Sequence, residues 1–308
     1  MRLLSVFLFV LITRTAVSQS FTDSLSLNNN RITDSTDAMH GFNDKFYDAV
    51  LKKRPLSVFL LGDSHVKQGS LGKNIEKTLN SFLTGEFQFP PKDSLDNTAI
   101  SKIIEEYHEQ LSQETEGRDL KLATARHAAG RYAKNDLIFN QYGVIGASYF
   151  YYNYNGFAAA FAKNFRPDLY IISLGVNDCY YPSFDTSVFM TQVSKMVTSI
   201  KKESPGTQIL IVLPPDHFTW KYRKAEVNNN ILTLRAALIP WLKSNNIPWY
   251  DFFEVMGGSG SIKMWQRNKY AEGDLIHFTF SGYQLWGKLL GTALINNFLY
   301  SLIKDEVN

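Results

Sequence analysis

The run SVFLLGDSH at residues 57–65 passes within a few positions from apolar to polar side chains. Its apolar part predicts a strand over Ser57–Leu61, of the kind that is buried on both faces of a parallel sheet. The GDSH part that follows predicts a tight turn into a helix. Because ligands bind beyond the carboxyl ends of the strands in an open α/β sheet, we expect chemistry at this turn.

Four further β-rich runs follow along the chain, and helical stretches separate them. The other predicted strands are Leu137–Asn140, Leu169–Leu174, Gln208–Leu213 and Pro248–Phe252. The predicted helices are Leu71–Phe82, Gly156–Asn164, Val188–Lys202, Ala225–Asn245 and Ser281–Ile303. This alternation predicts an α/β fold with a doubly wound parallel sheet of five strands, counted from these runs.

Three segments lie outside this pattern. Residues 1–18 combine basic Arg2, an apolar run and small residues before Gln19, which predicts a removable signal peptide and a periplasmic or secreted protein. The apolar run is shorter than the ~20 residues of a membrane-spanning helix, so no transmembrane segment is expected. Residues 19–50 predict a polar surface arm, and residues 51–308 a single domain with a charged, helical insertion at about 89–135.

The composition excludes several classes of protein. With 308 residues and 44% hydrophobic content, the chain can bury a large core, which excludes a disordered or fibrous protein. The formal net charge is only +3, and no basic cluster with interleaved aromatic residues stands out, so nucleic acid is not an expected partner. Cys179 is the only cysteine and is expected to be a small apolar core residue.

Ser64 and the pair Asp274 and His277 are candidates for nucleophilic catalysis. A serine hydroxyl needs a base to remove its proton, and a tight turn before a helix exposes its oxygen. A carboxylate three residues before a histidine can bind one ring nitrogen, so that the other nitrogen is free to act as the base. Taken singly, each motif also has a structural interpretation, as a helix cap or as a satisfied histidine at a helix start.

Two further strand ends offer groups that can stabilise an oxyanion. Gly146 lies in the GVIGAS run at residues 143–148, and Asn177 lies in the GVND run at residues 175–178. Preorganised N–H donors of this kind stabilise the negative charge of a tetrahedral intermediate. Gly143 is an alternative to Gly146, and each of these residues also fits an ordinary turn or helix cap.

Together these four blocks closely resemble the SGNH (GDSL-like) hydrolase family over residues 57–302. The resemblance implies a flavodoxin-like, three-layer αβα sandwich, with no metal ion and no other cofactor. It implies a catalytic triad of Ser64, Asp274 and His277. It implies an oxyanion hole built from the Ser64 backbone, Gly146 and Asn177.

A finer resemblance is to the peptidoglycan O-acetylesterase branch of that family. It rests on the GDSH block, on the MGGSGS run at residues 256–261 with Trp265 beyond it, and on HFTFSGY at residues 277–283. This resemblance implies an esterase that removes acetyl groups from peptidoglycan or another acetylated polysaccharide. His65, Tyr180 and Trp265 are candidates for substrate contact, although a helix-capping role is favoured for His65 and a core role for most aromatic residues.

Two other activities stay open at this point. An O-acetyltransferase would use the same triad, because transfer and hydrolysis share one acyl-enzyme and differ only in the group that attacks it. A metal-dependent phosphoesterase would use the Asp63-x-His65 spacing, but it needs further paired ligands at strand ends. The six histidines of the chain do not form such pairs, so this second activity is disfavoured.

Overall fold

The computed structural model describes residues 25–87, 136–221 and 224–307. The strands are β1 (Ile32–Thr33), β2 (Leu56–Gly62), β3 (Leu137–Gly143), β4 (Leu169–Ser173), β5 (Gln208–Leu213), β6 (Phe218–Lys221), β7 (Lys224–Val227) and β8 (Trp249–Asp251). Within the described residues, one sheet has the order β1-β8-β5-β4-β2-β3, and β6 and β7 form a separate antiparallel hairpin. In the sheet, only β1 pairs antiparallel with its neighbour.

Helices lie on both faces of this sheet. They are α1 (His40–Val50), α2 (Ser64–Lys67), α3 (Ser70–Leu83), α4 (Tyr149–Asn155), α5 (Phe157–Phe165), α6 (Val176–Cys179), α7 (Thr186–Glu203), α8 (Asn230–Ser244), α9 (Phe252–Val255), α10 (Ser261–Arg267) and α11 (Phe280–Val307). In the part of the chain that the structure describes, no helix combines the length and apolar character needed to cross a membrane.

Successive residues of β2 face two separate cores. Val58 and Leu60 pack in the cluster beneath α3 and α11, whereas Phe59 and Leu61 pack in the cluster beneath α5 and α7. A strand between two helix layers must be apolar at consecutive positions, which explains its unbroken apolar run. The predicted α/β fold, with helices on both faces of a mainly parallel sheet, is confirmed.

The prediction of five strands is wrong, because the described part of the sheet has six. The extra strand is β1, which pairs Ile32 with Tyr250 and Thr33 with Trp249 at the edge beside β8. Two residues are too few for an alternating pattern to show in the sequence. The Asn30 side chain also accepts a hydrogen bond from the buried Tyr250 hydroxyl at 2.8 Å, which holds this segment against the sheet.

The segment predicted as a surface arm is part of the domain from residue 25 onwards. Helix α1 buries Phe42, Phe46 and Ala49 completely, and the Phe46 ring stacks on Phe298 of α11 with centroids 4.5 Å apart. Among the described polar residues of this segment, Ser35, Thr36 and Asp37 are exposed before the helix, whereas Asn30 and Asn43 are buried. The predicted signal peptide at 1–18 and the insertion at about 89–135 lie outside the described residues.

Some helix assignments also differ from the prediction. The helix expected from Ala225 begins at Asn230, because residues 224–227 pair as strand β7 with β6. Helix α4 at Tyr149–Asn155 was not predicted at all, since its alternation of aromatic and amide residues has no helical period.

Candidate active site

Ser64 is the first residue of α2, directly after the carboxyl end of β2. The Asp63 side chain caps this short helix by accepting a hydrogen bond from the His65 N–H at 2.9 Å. A side chain at Gly62 would come within 2.8 Å of the Ser173 carbonyl oxygen, so the turn requires glycine. The local sequence thus presents the Ser64 hydroxyl at the rim of the sheet.

The structure brings together the three residues Ser64, His277 and Asp274. The Ser64 Oγ atom lies 2.9 Å from Nε2 of His277, and Nδ1 of His277 lies 2.7 Å from Oδ2 of Asp274. Because a carboxylate only accepts, Nδ1 carries the proton and Nε2 presents its lone pair to the serine hydroxyl. The His277 and Asp274 side chains are 39% and 43% exposed, so the arrangement is open to a substrate.

Asp274 is held as an anion. Partial burial by itself raises its pKa, but the hydrogen bonds from the His277 ring and from the His277 and Ile276 backbone N–H groups outweigh burial and lower the pKa overall. Both N–H groups donate to Oδ1 at 2.9 Å, which leaves Oδ2 for the imidazole. The carboxylate therefore fixes the orientation of the imidazole ring.

The hairpin β6–β7 braces the loop that carries Asp274. The Trp220 indole N–H donates to the Asp274 carbonyl oxygen at 2.9 Å, and the Phe218 N–H donates to the Leu275 carbonyl oxygen at 2.9 Å. Leu275 adopts a φ of 57°, a left-handed backbone conformation that residues other than glycine rarely adopt. No sequence motif marks Trp220, because it acts through a backbone carbonyl.

Asn177 and Asp178 bind the loop that contains Gly146. The Asn177 amide donates to the Ala147 carbonyl oxygen at 2.9 Å and to Oδ2 of Asp63 at 3.3 Å. The Tyr149 N–H donates to Oδ1 of Asp178 at 3.1 Å. Residues after β2, β3 and β4 therefore meet at one rim, as expected for the carboxyl ends of parallel strands.

The structure gives the two alternative glycines different environments. A Cβ at Gly143 would come within 2.3 Å of the Lys67 backbone nitrogen and 2.7 Å of the Asp63 carbonyl oxygen, so this glycine packs β3 against the Ser64 turn. Gly146 has a φ of 74° and no atom within 4 Å of an added Cβ. Of the two, Gly146 has open space in front of it where a ligand can approach.

Two buried carboxyl groups lie beneath this rim. Burial raises the pKa of Asp63 to about 7, although the His65 N–H opposes the rise, and the neighbouring Asp178 charge adds to it. Burial likewise raises the pKa of Asp178 to about 7, against the hydrogen bond from the Tyr149 N–H. Near neutral pH each group is therefore protonated for part of the time, which limits the negative charge close to Asn177.

Two of the three predicted substrate contacts are wrong. His65 is buried, and its Nδ1 lies 3.0 Å from the Tyr283 hydroxyl. Trp265 is fully buried and donates its indole N–H to the Met256 carbonyl oxygen at 3.0 Å. Both side chains pack into the core behind the rim, so neither is accessible to a substrate. Tyr180 is half-buried at the end of α6, beside the exposed Tyr181, and stays a candidate.

A second histidine-centred cluster lies in the interior. The Cys179 Sγ atom is 4.0 Å from Nε2 of His217, and the Asn228 amide donates to the same Nε2 at 2.7 Å. All three residues are buried. Across the described ranges, no three His, Cys, Asp or Glu side chains are placed to hold a metal ion.

Comparison with known proteins identifies a sequence family. The profile of the GDSL-like Lipase/Acylhydrolase family matches residues 84–285, well over half of the chain. The matched span contains Gly146, Asn177, Asp274 and His277 but begins after Ser64. No curated protein matches the chain.

Several solved structures are similar to the chain. A peptidoglycan O-acetylesterase is 19% identical over 53% of this chain and 47% of its own, with a TM-score of 0.48, so the chain spans about half of its length. An acetyl xylan esterase is 12% identical over 77% of this chain and 98% of its own, with a TM-score of 0.47. A lipase/acylhydrolase from Enterococcus faecalis is 14% identical over 79% of this chain and 97% of its own, with a TM-score of 0.43.

Proposed function

This chain belongs to the GDSL-like lipase/acylhydrolase family, and we propose that it is an exported serine esterase that removes O-acetyl groups from a polysaccharide. Family membership makes it a carboxylic ester hydrolase. The observation that carries the proposal is the 2.9 Å contact between the Ser64 hydroxyl and Nε2 of His277, with Asp274 on the other ring nitrogen. These are the relations that a serine nucleophile, its base and its orienting carboxylate require.

In the proposed reaction, Ser64 Oγ attacks the acetyl carbonyl carbon while His277 Nε2 takes the hydroxyl proton. The resulting imidazolium is stabilised by the Asp274 carboxylate and then protonates the departing sugar oxygen. Water, deprotonated by the neutral imidazole, attacks the acetyl-serine ester; acetate is released, and the imidazolium returns the proton to Ser64 Oγ. The low pKa of Asp274 keeps it ionised throughout this cycle.

The oxyanion that forms at the carbonyl oxygen needs N–H donors. We assign this role to the Ser64 and Gly146 backbone N–H groups and to the Asn177 amide. The longer of the two Asn177 contacts, 3.3 Å to Asp63, is the weaker, and an oxyanion in the site would compete for that N–H. Each such donor is worth roughly 3 kcal/mol of activation energy.

The acetylated polysaccharide is proposed from the sequence blocks that surround the triad. GDSH at residues 62–65 and HFTFSGY at residues 277–283 resemble the branch of the family that acts on cell-wall and other polysaccharide sugars. Export is proposed from the signal-like residues 1–18, because polysaccharides of this kind lie outside the cytoplasm.

The test is acetate release from acetylated peptidoglycan, xylan and mucin-type glycans by the wild type and by Ser64→Ala. We expect the variant to lose a factor of about 10⁴ or more in kcat/KM, because the nucleophile is gone. Ser244→Ala, at the exposed end of α8, is the matched control and should retain activity. Equal release by the wild type and Ser64→Ala would exclude the proposed mechanism.

A further inference from the structure

The segment from Leu137 to Ala162 contains no charged residue and no histidine. It nevertheless reaches the surface, and several of its large apolar side chains are exposed. Ile145, Phe150 and Tyr154 are 77%, 58% and 79% exposed. Phe150 and Tyr154 are in ring contact, and exposed apolar side chains that cluster mark binding sites more often than scattered single ones do.

Phe150 and Tyr154 form a pair on the outer face of α4. Tyr149 and Tyr152 on the same helix are buried, so the helix is anchored by one face and presents the other. Residues four apart are neighbours on a helix surface, and the rings of Phe150 and Tyr154 stack with centroids 5.9 Å apart at 26°. We call this pair the aromatic platform.

The platform is tied closely to the turn that carries Ser64. The buried Tyr152 hydroxyl donates to the Gly62 carbonyl oxygen at 2.6 Å, two residues before the serine. At the start of α4, the Tyr149 N–H donates to Asp178, and the preceding Ala147 carbonyl accepts from Asn177. The helix that carries the platform is therefore held by the same residues that surround the candidate site.

We propose that the aromatic platform binds sugar rings of a polysaccharide chain whose acetyl group lies at Ser64. This inference rests on the proposed function and deepens it, because it assigns the surface that holds the sugar chain beside Ser64. The C–H face of a pyranose ring packs on an aromatic face, and the exposed amide of Asn155 on the same helix suits its hydroxyl groups.

The segment that carries the platform has no charged residue of its own, which disfavours nucleic acid and anionic lipid as its occupant, because both are bound through Lys and Arg. The segment also combines apolar and polar side chains, because the amide residues Asn153 and Asn155 flank the Tyr154 ring in the sequence. A neutral, hydroxylated chain matches both properties.

The experiment compares the double variant Phe150→Ala/Tyr154→Ala with the wild type on acetylated xylan, on O-acetylated peptidoglycan sacculi and on p-nitrophenyl acetate. We expect the ratio of polymer to small-ester kcat/KM to fall about tenfold, mainly through KM. Tyr300→Ala is the matched control, because Tyr300 is 51% exposed on α11, in the other helix layer. Comparison of the rates on acetylated xylan and on peptidoglycan sacculi shows which of the two polysaccharides is the substrate.

A binding measurement separates this inference from the catalytic proposal. Ser64→Ala protein should be retarded in a native gel that contains xylan or solubilised peptidoglycan, and the triple variant Ser64→Ala/Phe150→Ala/Tyr154→Ala should migrate freely. Retardation lost in the triple variant supports the platform even if Ser64→Ala keeps esterase activity, a result that would exclude only the proposed mechanism.

Three results would overturn the platform. The first is an unchanged ratio and unchanged retardation in the double variant. The second is a wild type that hydrolyses p-nitrophenyl acetate but neither polymer. The third is a double variant that loses only thermal stability, or that sediments as a monomer where the wild type is a dimer. That result would mean that the rings are covered by this chain or by a second copy.

Discussion

His277 and His217 each lie between a nucleophilic side chain and a polar partner, yet the two histidines are in opposite states. His277 binds Asp274 through Nδ1 and leaves the Nε2 lone pair for Ser64. His217 binds the Pro215 carbonyl oxygen through Nδ1, and its Nε2 lone pair already accepts the Asn228 amide. The first ring is partly exposed and the second is completely buried.

The comparison shows that residue types alone do not make a reactive site. Burial lowers the pKa of His217 to about 4, although the Pro215 carbonyl opposes this effect. Burial also raises the pKa of the Cys179 thiol far above its ordinary value, and the Asp178 charge adds to the rise. The interior cluster therefore holds a neutral thiol beside a histidine, His217, whose Nε2 lone pair already accepts a hydrogen bond. Its role is to tie α6, the loop before β6 and the start of α8 together.

The strongest test exchanges each histidine for glutamine. His277→Gln should lower kcat/KM for p-nitrophenyl acetate by about 10⁴, because no other group near Ser64 can take its proton. His217→Gln should leave turnover per folded molecule within about twofold and should lower the free energy of unfolding instead. Similar losses of turnover in the two variants would contradict the distinction between the clusters.

Asp274→Asn tests whether the partner of the exposed histidine must be an anion. The amide can keep the geometry but can no longer stabilise the imidazolium or enforce the tautomer, so we expect kcat to fall by up to about 10⁴. Circular dichroism of the variant should match that of the wild type. A loss smaller than tenfold would show that Asp274 only caps the loop.

The interior cluster predicts a pH-dependent stability. The pKa of His217 falls from 6.5 to about 4 on folding, so the folded state binds this proton less tightly than the unfolded state. The stabilisation by the neutral ring is complete above pH 6.5 and is lost as the pH falls towards 4, a change of roughly 3 kcal/mol. Urea unfolding of the wild type and His217→Gln should diverge over this range. Parallel curves would contradict the prediction.

The smallest expected effect concerns the external brace of the exposed cluster. Trp220→Phe keeps an aromatic ring but removes the N–H that binds the Asp274 carbonyl oxygen. Loss of one hydrogen bond of about 1 kcal/mol to the triad loop should lower kcat about fivefold and leave the Tm nearly unchanged. An unaltered kcat would show that Phe218 alone holds the loop.

The parts of the candidate site are marked in the sequence by local rules. Ser64 follows an apolar strand, and Asp274 precedes His277 by three residues, a spacing at which a carboxylate can reach a ring nitrogen. These relations concern neighbouring residues or strand ends, and the carboxyl ends of parallel strands meet at one rim in any such sheet. The fold class followed from the same alternation of strands and helices.

Features that depend on distant residues were missed or misjudged. Trp265 and His65 were candidates for substrate contact, but both are buried behind the rim, and their motifs carry no information about depth. Strand β1 and hairpin β6–β7 are short, and their positions depend on distant partners: β1 pairs with β8, and the hairpin binds the loop of Asp274 and Leu275. Trp220 acts on a backbone carbonyl, for which no sequence signal exists.

The printed residues alone were enough to predict a parallel α/β sheet and the residue types of a serine esterase, because hydrophobic period and chemical type are local properties of a chain. Which histidine has a free lone pair, which aromatic rings reach solvent and which loop braces Asp274 depended on packing across hundreds of residues. Exposure and hydrogen-bond partners are properties of the folded molecule, and they separate the candidate triad from the buried cluster that resembles it.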